Sequence, residues 1–473
     1  MRLKHNFSTL GESFYSKALI QPLLEQRLVE CNQTLADNLA IDLKDSETLA
    51  QLSGEQSIAA SLSMVYAGHQ FGGYSPQLGD GRGVLLGEVV DQQGKLIDLH
   101  MKGAGPTPYS RRGDGRAVLR SCMREYLASE AMFALGVSTS RALALFDSRE
   151  AVYRETPEMG AMLLRTANGH IRFGHFEYFF SRGMADELDA LIQYCLSHYY
   201  PECLETSSPL ENMLLSVVER TAHMIAKWQS FGFQHGVMNT DNFSFTGETI
   251  DYGPFGFMED YEESWVCNHS DYEGRYAFNR QPGVGLWNLN CLMRCFSNHL
   301  TRDQLVAILQ TYETALQSHY DSLMLQKLGL SDVADLHKLW PSLVTILSQE
   351  KLDYSLFLRS LSLLSADDYS LLLDEVIDRE RLRTWLDEYM SIRSLQGKDW
   401  QQVQQGMLAV NPKYVLRNYL AHEAIQAAEA GDYLPFRRLL NLITHPFDEH
   451  PACEALARRA PGWAKSLEVS CSS

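Results

Sequence analysis

The sequence predicts an α+β protein of two lobes, with a helical N-terminal extension over residues 1–65, a small glycine-rich lobe over 66–180 and a large, mostly helical lobe over 181–473. Three observations predict it. Apolar residues recur at helical spacing in the first 65 positions and again from about 181 to the end. Between these stretches the texture changes to short strand-like runs separated by glycine turns. Twelve of the 32 glycines fall between Gly68 and Gly115, so that segment needs bare backbone.

Each element has its own signal. In the extension, Leu19, Leu23, Leu24 and Leu28, then Leu49, Leu52, Ile58 and Leu62, carry the helical spacing. Residues 84–90 and 96–102, joined by a turn at 91–94, read as a hairpin. A helix is predicted from about 116 to 135, with Val118, Leu119, Cys122, Met123, Tyr126 and Leu127 on one face and Gly136 as its stop. The last lobe is helical except for an irregular segment at 235–285.

Composition bounds the function. With 45% hydrophobic and 21% charged residues the chain can bury a sizeable core, which excludes disordered, collagenous and coiled-coil classes. Its 41 basic and 59 acidic residues leave a net charge of -18, which would repel a nucleic-acid backbone. No stretch approaches the ~18 apolar residues of a membrane span, and no apolar run follows the basic start. The expectation is a cytoplasmic protein with neither nucleic-acid nor membrane partners, and a monomer by default. Nine cysteines at scattered spacings fit neither a disulfide framework nor a zinc module, and Cys291 and Cys295, four apart, read as core.

The chemistry begins at Gly79-Asp80-Gly81-Arg82-Gly83, a turn directly before a strand whose amides can close on an anion. Alone, this pattern reads first as a glycine hairpin turn with no ligand, and the residues that follow shift the balance. Lys102, at the end of the next strand, aims an ammonium at whatever the turn cradles. Glycine turn, strand, strand, lysine is the order in protein kinases, where the lysine holds phosphates and pairs with a glutamate of the following helix. Glu125 is the candidate for that ion pair, with Glu130 as its rival.

A second glycine loop follows, repeating Gly-Asp-Gly-Arg at 113–116. Over 102–124 six basic residues (Lys102, Arg111, Arg112, Arg116, Arg120, Arg124) face Asp114 alone, a local charge of +5 that points to a bound polyanion or to a basic helix face. Arg165 and Arg172 flank Asn168-Gly169, a type I′ turn signal that would set them on neighbouring hairpin arms and suit an oligophosphate. The most specific string is His235-Gly-Val-Met-Asn-Thr-Asp241-Asn242 with Ile250-Asp251-Tyr252-Gly253. In a kinase Asn242 and Asp251 would be the two metal ligands, and the base would stand five residues before the asparagine. That position is Val237, which cannot accept a proton.

These strings, together with Met101-Lys-Gly-Ala-Gly-Pro-Thr-Pro-Tyr-Ser-Arg111 and Pro254-Phe-Gly-Phe257, resemble those of the selenoprotein O family, kinase-fold protein adenylyltransferases, over most of the chain. The resemblance implies a two-lobed protein-kinase-like fold that binds ATP flipped relative to a kinase. It implies transfer of AMP, with UMP from UTP as an alternative, to Ser, Thr or Tyr hydroxyls of protein substrates. By matching motif, Gly79, Gly81, Arg82, Lys102, Asp114, Gly115, Arg165, Arg172 and Asp251 would bind the nucleotide, Asn242 and Asp251 would hold Mg²⁺ or Mn²⁺, and Asp241 would be the proton acceptor.

Attack on the α-phosphorus would expel metal-bound pyrophosphate, its charge met by Lys102 and the arginines. Family members also end in a selenocysteine or cysteine third from the terminus, the place of Cys471 here, and a reversible Cys267–Cys471 disulfide is the associated hypothesis. Phosphoryl transfer and a catalytically silent nucleotide-binding scaffold stay open as competitors. Val237 weighs against the first, and the joint presence of Lys102, Asp241, Asn242 and Asp251 against the second.

Overall fold

The computed structural model describes residues 2–365 and 368–470. Its centre is an eight-stranded antiparallel sheet. β1 (Tyr15–Lys17), β2 (Arg27–Cys31), β3 (Leu62–Met64), β6 (Gly83–Val90), β7 (Leu96–Lys102), β9 (Arg141–Tyr153) and β10 (Pro157–Ala167) are ordered β1-β3-β6-β7-β10-β9-β2. The short β8 (Ala117–Val118) also pairs with β10, and β4 (Gly68–Gln70) with β5 (Gly73–Ser75) forms a separate hairpin.

Period-two alternation sorts the sheet's two faces. Val84, Leu86, Leu99, Met101, Met162 and Leu164 point to one side, onto a cluster with α1 (Gln33–Asn38) and α2 (Ser46–Ser53). Leu85 and Leu163 point to the other, onto Cys122, Met123, Tyr126 and Leu127 of α3 (Leu119–Ala134). Because Leu99 and Met101 face α1 and α2, His100 and Lys102 between and after them face α3. The register seats Lys102 opposite Gly83 and Leu163, and His100 opposite Arg165. Gly136, at φ 71°, ends the α3 turn as expected.

The first 65 residues are not the helical extension that their spacing predicts. The described residues among them contain only two short α-helices, and they supply β1 and β2, the two edges of the sheet, as well as β3. The leucine pattern at 19–28 fails because Pro22 cannot donate to a helix and because Leu19 and Leu24 are exposed, leaving no continuous buried face.

Beyond α4 (Phe173–Ser181) the chain is mainly helical, with α5 (Ala185–Tyr199), α6 (Pro209–Ser230), α7 (Gln281–Arg294) and α8 (Arg302–Leu328) in succession. β11 (Phe233–Gln234) and β12 (Gly256–Phe257) pair and bracket residues 235–255, the first part of the irregular segment expected at 235–285. The principal core runs without a break from the sheet through α3 to these helices and to Phe436 near the C-terminus, while a second core gathers residues 258–407. Cys291 and Cys295 are buried, as their spacing implies.

Candidate active site

A cavity of about 900 Å³ opens between the α3 side of the sheet and the segment bracketed by β11 and β12. The turn 79–83 and the loop 109–116 form one wall, and the other carries Val237, Asp241, Asn242 and Asp251. The two glycine segments pack on each other. A Cβ on Gly79 would come within 2.6 Å of the Tyr109 ring, and one on Gly81 within 2.9 Å of the Tyr109 carbonyl oxygen. Part of the glycine requirement is therefore close backbone packing between the loops.

The floor is an ion network. Lys102 pairs with Glu125, which is fully buried on α3. Arg165 Nη1 donates to Glu125 Oε1 at 2.9 Å and to Asp251 Oδ1 at 2.6 Å. Arg172 donates to Asp251 Oδ2 and, at 2.7 Å, to the carbonyl oxygen of Asp241. Burial pushes the Glu125 carboxyl up, but Lys102 and Arg165 outweigh it and hold the group below the usual range. Burial acts likewise on Asp251, and Arg172 and Arg165 hold it well below its ordinary value. The rival Glu130 is engaged elsewhere, bidentate with Arg141 at 2.9 and 2.6 Å.

Arg165 and Arg172 do not lie on two arms of a hairpin. Arg165 is in β10 and Arg172 precedes α4; neither Asn168 nor Gly169 has a positive φ, so the type I′ turn does not form. Glu248 accepts instead from the Asn168 backbone at 3.0 Å and from its side chain at 2.7 Å, which redirects the chain into α4. The two guanidiniums converge on Asp251 all the same.

Asp241 and Asn242 end the short 3-10 turn Thr240–Asn242. Burial raises the Asp241 carboxyl to about 6 against the pull of Arg172. Its Oδ2 accepts from Gln70 at 3.2 Å, and Oδ1 has no partner among the described residues. The Asn242 amide nitrogen donates to the Val237 carbonyl oxygen at 3.0 Å, which leaves its amide oxygen without a hydrogen bond among the described residues. Asp251 has the left-handed φ of 57°, and its carboxylate keeps a quarter of its side-chain surface exposed in the same cavity. One amide oxygen and one carboxylate in a polar cavity suit a hard divalent cation that takes further oxygens from water or phosphate.

The rim differs. Asp114 is exposed and bound by Arg154 at 2.8 and 3.1 Å, with Gly115 beside it on the cavity wall. Of the basic run, Arg116 pairs with Glu150 at 3.5 Å, Arg120 with Glu158 at 3.0 Å, and Arg124 donates to the Phe255 carbonyl oxygen at 3.1 Å. Arg82, Arg111 and Arg112 make no side-chain hydrogen bond or ion pair among the described residues. Half of the +5 segment thus holds the fold together.

Cys267 is buried, its thiol 2.8 Å from the Pro254 carbonyl oxygen. Cys471 lies outside the described residues. Upstream of it, residues 467–470 reach the cavity, and Val469 accepts from the His269 amide at 2.9 Å.

Sequence reasoning missed His100, which bridges Arg165 Nη2 (2.9 Å) and Asp80 Oδ2 (3.3 Å) and so ties the first glycine turn to the floor. Its place two residues before Lys102, on the same strand face, is the signal that could have found it.

A family model described as protein adenylyltransferase SelO matches residues 1–444. The chain is 72% identical over 473 residues to a protein of Marinomonas sp. (strain MWYL1) named protein nucleotidyltransferase YdiU, each chain being covered in full. It is 47% identical over 484 residues to a protein of that name from Vibrio cholerae serotype O1, covering 100% of this chain and 99% of the other. A third, from Pseudoalteromonas atlantica, is 47% identical over 488 residues with both chains covered in full.

Proposed function

The chain belongs to the SelO family of protein adenylyltransferases and is a nucleotidyltransferase, and on that premise we propose that it moves AMP from ATP to Ser, Thr or Tyr hydroxyls of proteins, with UTP as an alternative donor. The observation that carries the reading is the floor. Lys102, Arg165 and Arg172 converge there on two carboxylates, more cationic groups than a kinase-type lysine alone would bring. A phosphate chain entering past the turn 79–83, with Gly79, Gly81 and Arg82 on one side and Asp114 and Gly115 at the rim, would put its far end on that floor and its α-phosphorus nearer Asp241.

In that pose an acceptor hydroxyl gives its proton to Asp241 as its oxygen bonds to the α-phosphorus. The α–β bridging bond breaks, and pyrophosphate leaves against Lys102, Arg165 and Arg172. Asn242 and Asp251 would hold Mg²⁺ or Mn²⁺, whose chemistry is charge neutralisation on the phosphates. Val237 contributes no proton acceptor, which favours this reading over phosphoryl transfer.

The same reading takes the sheet with α3 as the small lobe of a protein-kinase-like pair and the helices after about 181 as the large one, in a cytoplasmic protein. The bond between His269 and Val469 supports a reversible Cys267–Cys471 disulfide, since it brings the tail beside the segment carrying Cys267. Non-reducing mass spectrometry of oxidised protein tests that pairing, and Cys471 found always free or paired elsewhere sinks it. For the transfer itself, the test is incubation with ATP labelled at the α or the γ phosphate, with Asp251→Ala as control. Protein labelling from the α position alone is expected. Labelling from γ alone would mean a kinase, and from neither a silent scaffold.

A further inference from the structure

Three glycines of the rich stretch, Gly68, Gly72 and Gly73, take no part in the two loops of the nucleotide cavity. They build the β4–β5 hairpin, in which Gln70 pairs with Gly73 across a two-residue turn. Both turn residues, Phe71 and Gly72, have left-handed φ values of 49° and 84°, the requirement of a type I′ turn. A phenylalanine in that conformation is strained and persists where its surroundings fix it. Here the Phe71 amide donates to Asn239 Oδ1 at 3.1 Å and to the Tyr276 hydroxyl at 3.0 Å.

The neighbouring residues continue the pattern along the chain. The His69 amide donates to Thr240 Oγ1 at 2.7 Å, Thr240 Oγ1 donates to Glu177 Oε2 at 2.5 Å, and Glu177 Oε1 lies 2.6 Å from His69 Nδ1. This closed ring fastens the hairpin to α4 and to the loop at once. His69, Glu177 and Cys291 do place possible metal ligands within 4.8 Å of one another. His69 Nδ1 and both Glu177 carboxylate oxygens are engaged in the ring, however, and burial pushes the thiol of Cys291 up to about 12, away from the thiolate that binds metal, so the chemistry of the cluster is that of a clasp.

Gln70 Nε2 donates to Asp241 Oδ2 at 3.2 Å, and at Gly68 a Cβ would fall 2.4 Å from Asp241 Oδ1. Residues 68–71 therefore meet residues 239–241 one after another, and two of the four contacts fall on the Asp241 carboxylate itself. That carboxylate is buried, lines the cavity, and carries in Oδ1 an oxygen with no partner among the described residues.

We propose that Gln70 is a positioning residue for the transfer reaction: the 68–75 hairpin fixes the rotation of the Asp241 carboxylate, with Gln70 holding Oδ2 and the bare Gly68 leaving room for Oδ1. The inference rests on the reading of Asp241 as the proton acceptor. Its consequence is specific, because a group that orients the acceptor without touching the nucleotide governs the rate of the bound complex and leaves ATP affinity alone.

The test is label transfer from α-labelled ATP to the enzyme itself and to added casein, with the full chain as wild type, Gln70→Met, Asp241→Asn and the double variant. Gln70→Met keeps the bulk and removes the donor. Its rate at saturating ATP is expected to fall about ten- to a hundredfold, the usual cost of a misplaced reacting group, while KM for ATP stays within about twofold. In the Asp241→Asn background the same change has no further effect, since the two act in series.

A wild-type rate for Gln70→Met, a raised KM with the rate intact, or an equal loss in the Asp241→Asn background would each overturn the inference. Asp241→Asn turning over like wild type would sink the proton-acceptor reading, whereas an inactive Asp241→Asn beside a fully active Gln70→Met would sink the hairpin's role alone. Should Gln70→Met prove unstable, Gly68→Ala carries the same readouts, because its Cβ pushes the carboxylate from the other side.

Discussion

The floor and the rim of the cavity are both rich in arginine, and they are built on opposite principles. On the floor, Arg165 and Arg172 are buried and each is fixed by carboxylates. At the rim, Arg111 and Arg112 stand exposed with no partner among the described residues. Burial alone would discourage the floor guanidiniums from carrying charge, but Glu125 and Asp251 raise Arg165, and Asp251 chiefly raises Arg172, well beyond the ordinary value, so the cations are fixed before any ligand arrives. A preorganised charge in a buried site acts strongly on developing negative charge, whereas an exposed one is screened. Equal counts of basic residues therefore conceal unequal influence on the chemistry.

The sharpest break comes from Asp251, which unites both floor arginines. Asp251→Asn is expected to lower the transfer rate about 10³-fold, the upper range for removing one electrostatic group from a preorganised site. In metal-free buffer it should leave inorganic pyrophosphate binding at least as tight as in wild type, because the arginines lose a competing carboxylate; isothermal titration with pyrophosphate checks this.

Glu125→Gln comes next. It leaves Lys102 and one bond of Arg165 without their buried counter-charge, and truncating one partner of such a pair costs about 3–5 kcal/mol. The Glu125 carboxyl is held below its unfolded value, so its contribution is complete above about pH 4.5 and is lost as pH falls through the folded value. The difference in denaturation midpoint between wild type and Glu125→Gln should therefore shrink as pH drops below that point. A gap that stayed constant with pH would show that the ion pair does not stabilise the floor.

Arg165→Lys keeps the charge and removes the fork that spans Glu125, Asp251 and His100 at once. A fall of about tenfold in the transfer rate is expected, smaller than for Asp251→Asn because the cation remains. Steady-state rates at saturating ATP measure it.

The floor was legible in sequence where its signals are local. Lys102 follows from its place at the end of the strand after the glycine turn, Glu125 from the helix that comes next, and Asp251 from the tripeptide that carries it. The convergence of Arg165 and Arg172 was anticipated for a wrong reason. A turn motif suggested neighbouring hairpin arms, whereas Glu248, some eighty residues on in sequence, captures Asn168 and bends the chain into α4. Gln70 was out of reach because its partner lies 171 residues away and no local pattern reports that distance. The N-terminal extension misled for a related reason: edge strands as short as β1, with three residues, carry too few side chains to show alternation, so the leucine spacing prevailed. The +5 segment was counted correctly, but charge counting cannot distinguish an arginine held by a carboxylate, as Arg120 is by Glu158, from exposed ones such as Arg111 and Arg112 with no partner among the described residues.

Arg112→Ala is the mildest test of the comparison and the one that defines the rim. The side chain is exposed and belongs to the cavity wall, so its only lever on a nucleotide is a screened Coulomb attraction worth about 0–1 kcal/mol. KM for ATP should rise by no more than about fivefold at low salt, with the rate at saturating ATP unchanged. The effect should fade between about 0.1 and 1 M salt, as the screening length falls from roughly 10 Å to 3 Å. The floor substitutions should retain most of their effect over the same range, because their charges are held out of solvent. Salt titrations of Arg112→Ala and Arg165→Lys side by side therefore separate the two regions directly. A salt-resistant loss for Arg112→Ala would place that arginine against the bound phosphates and make it functionally part of the floor.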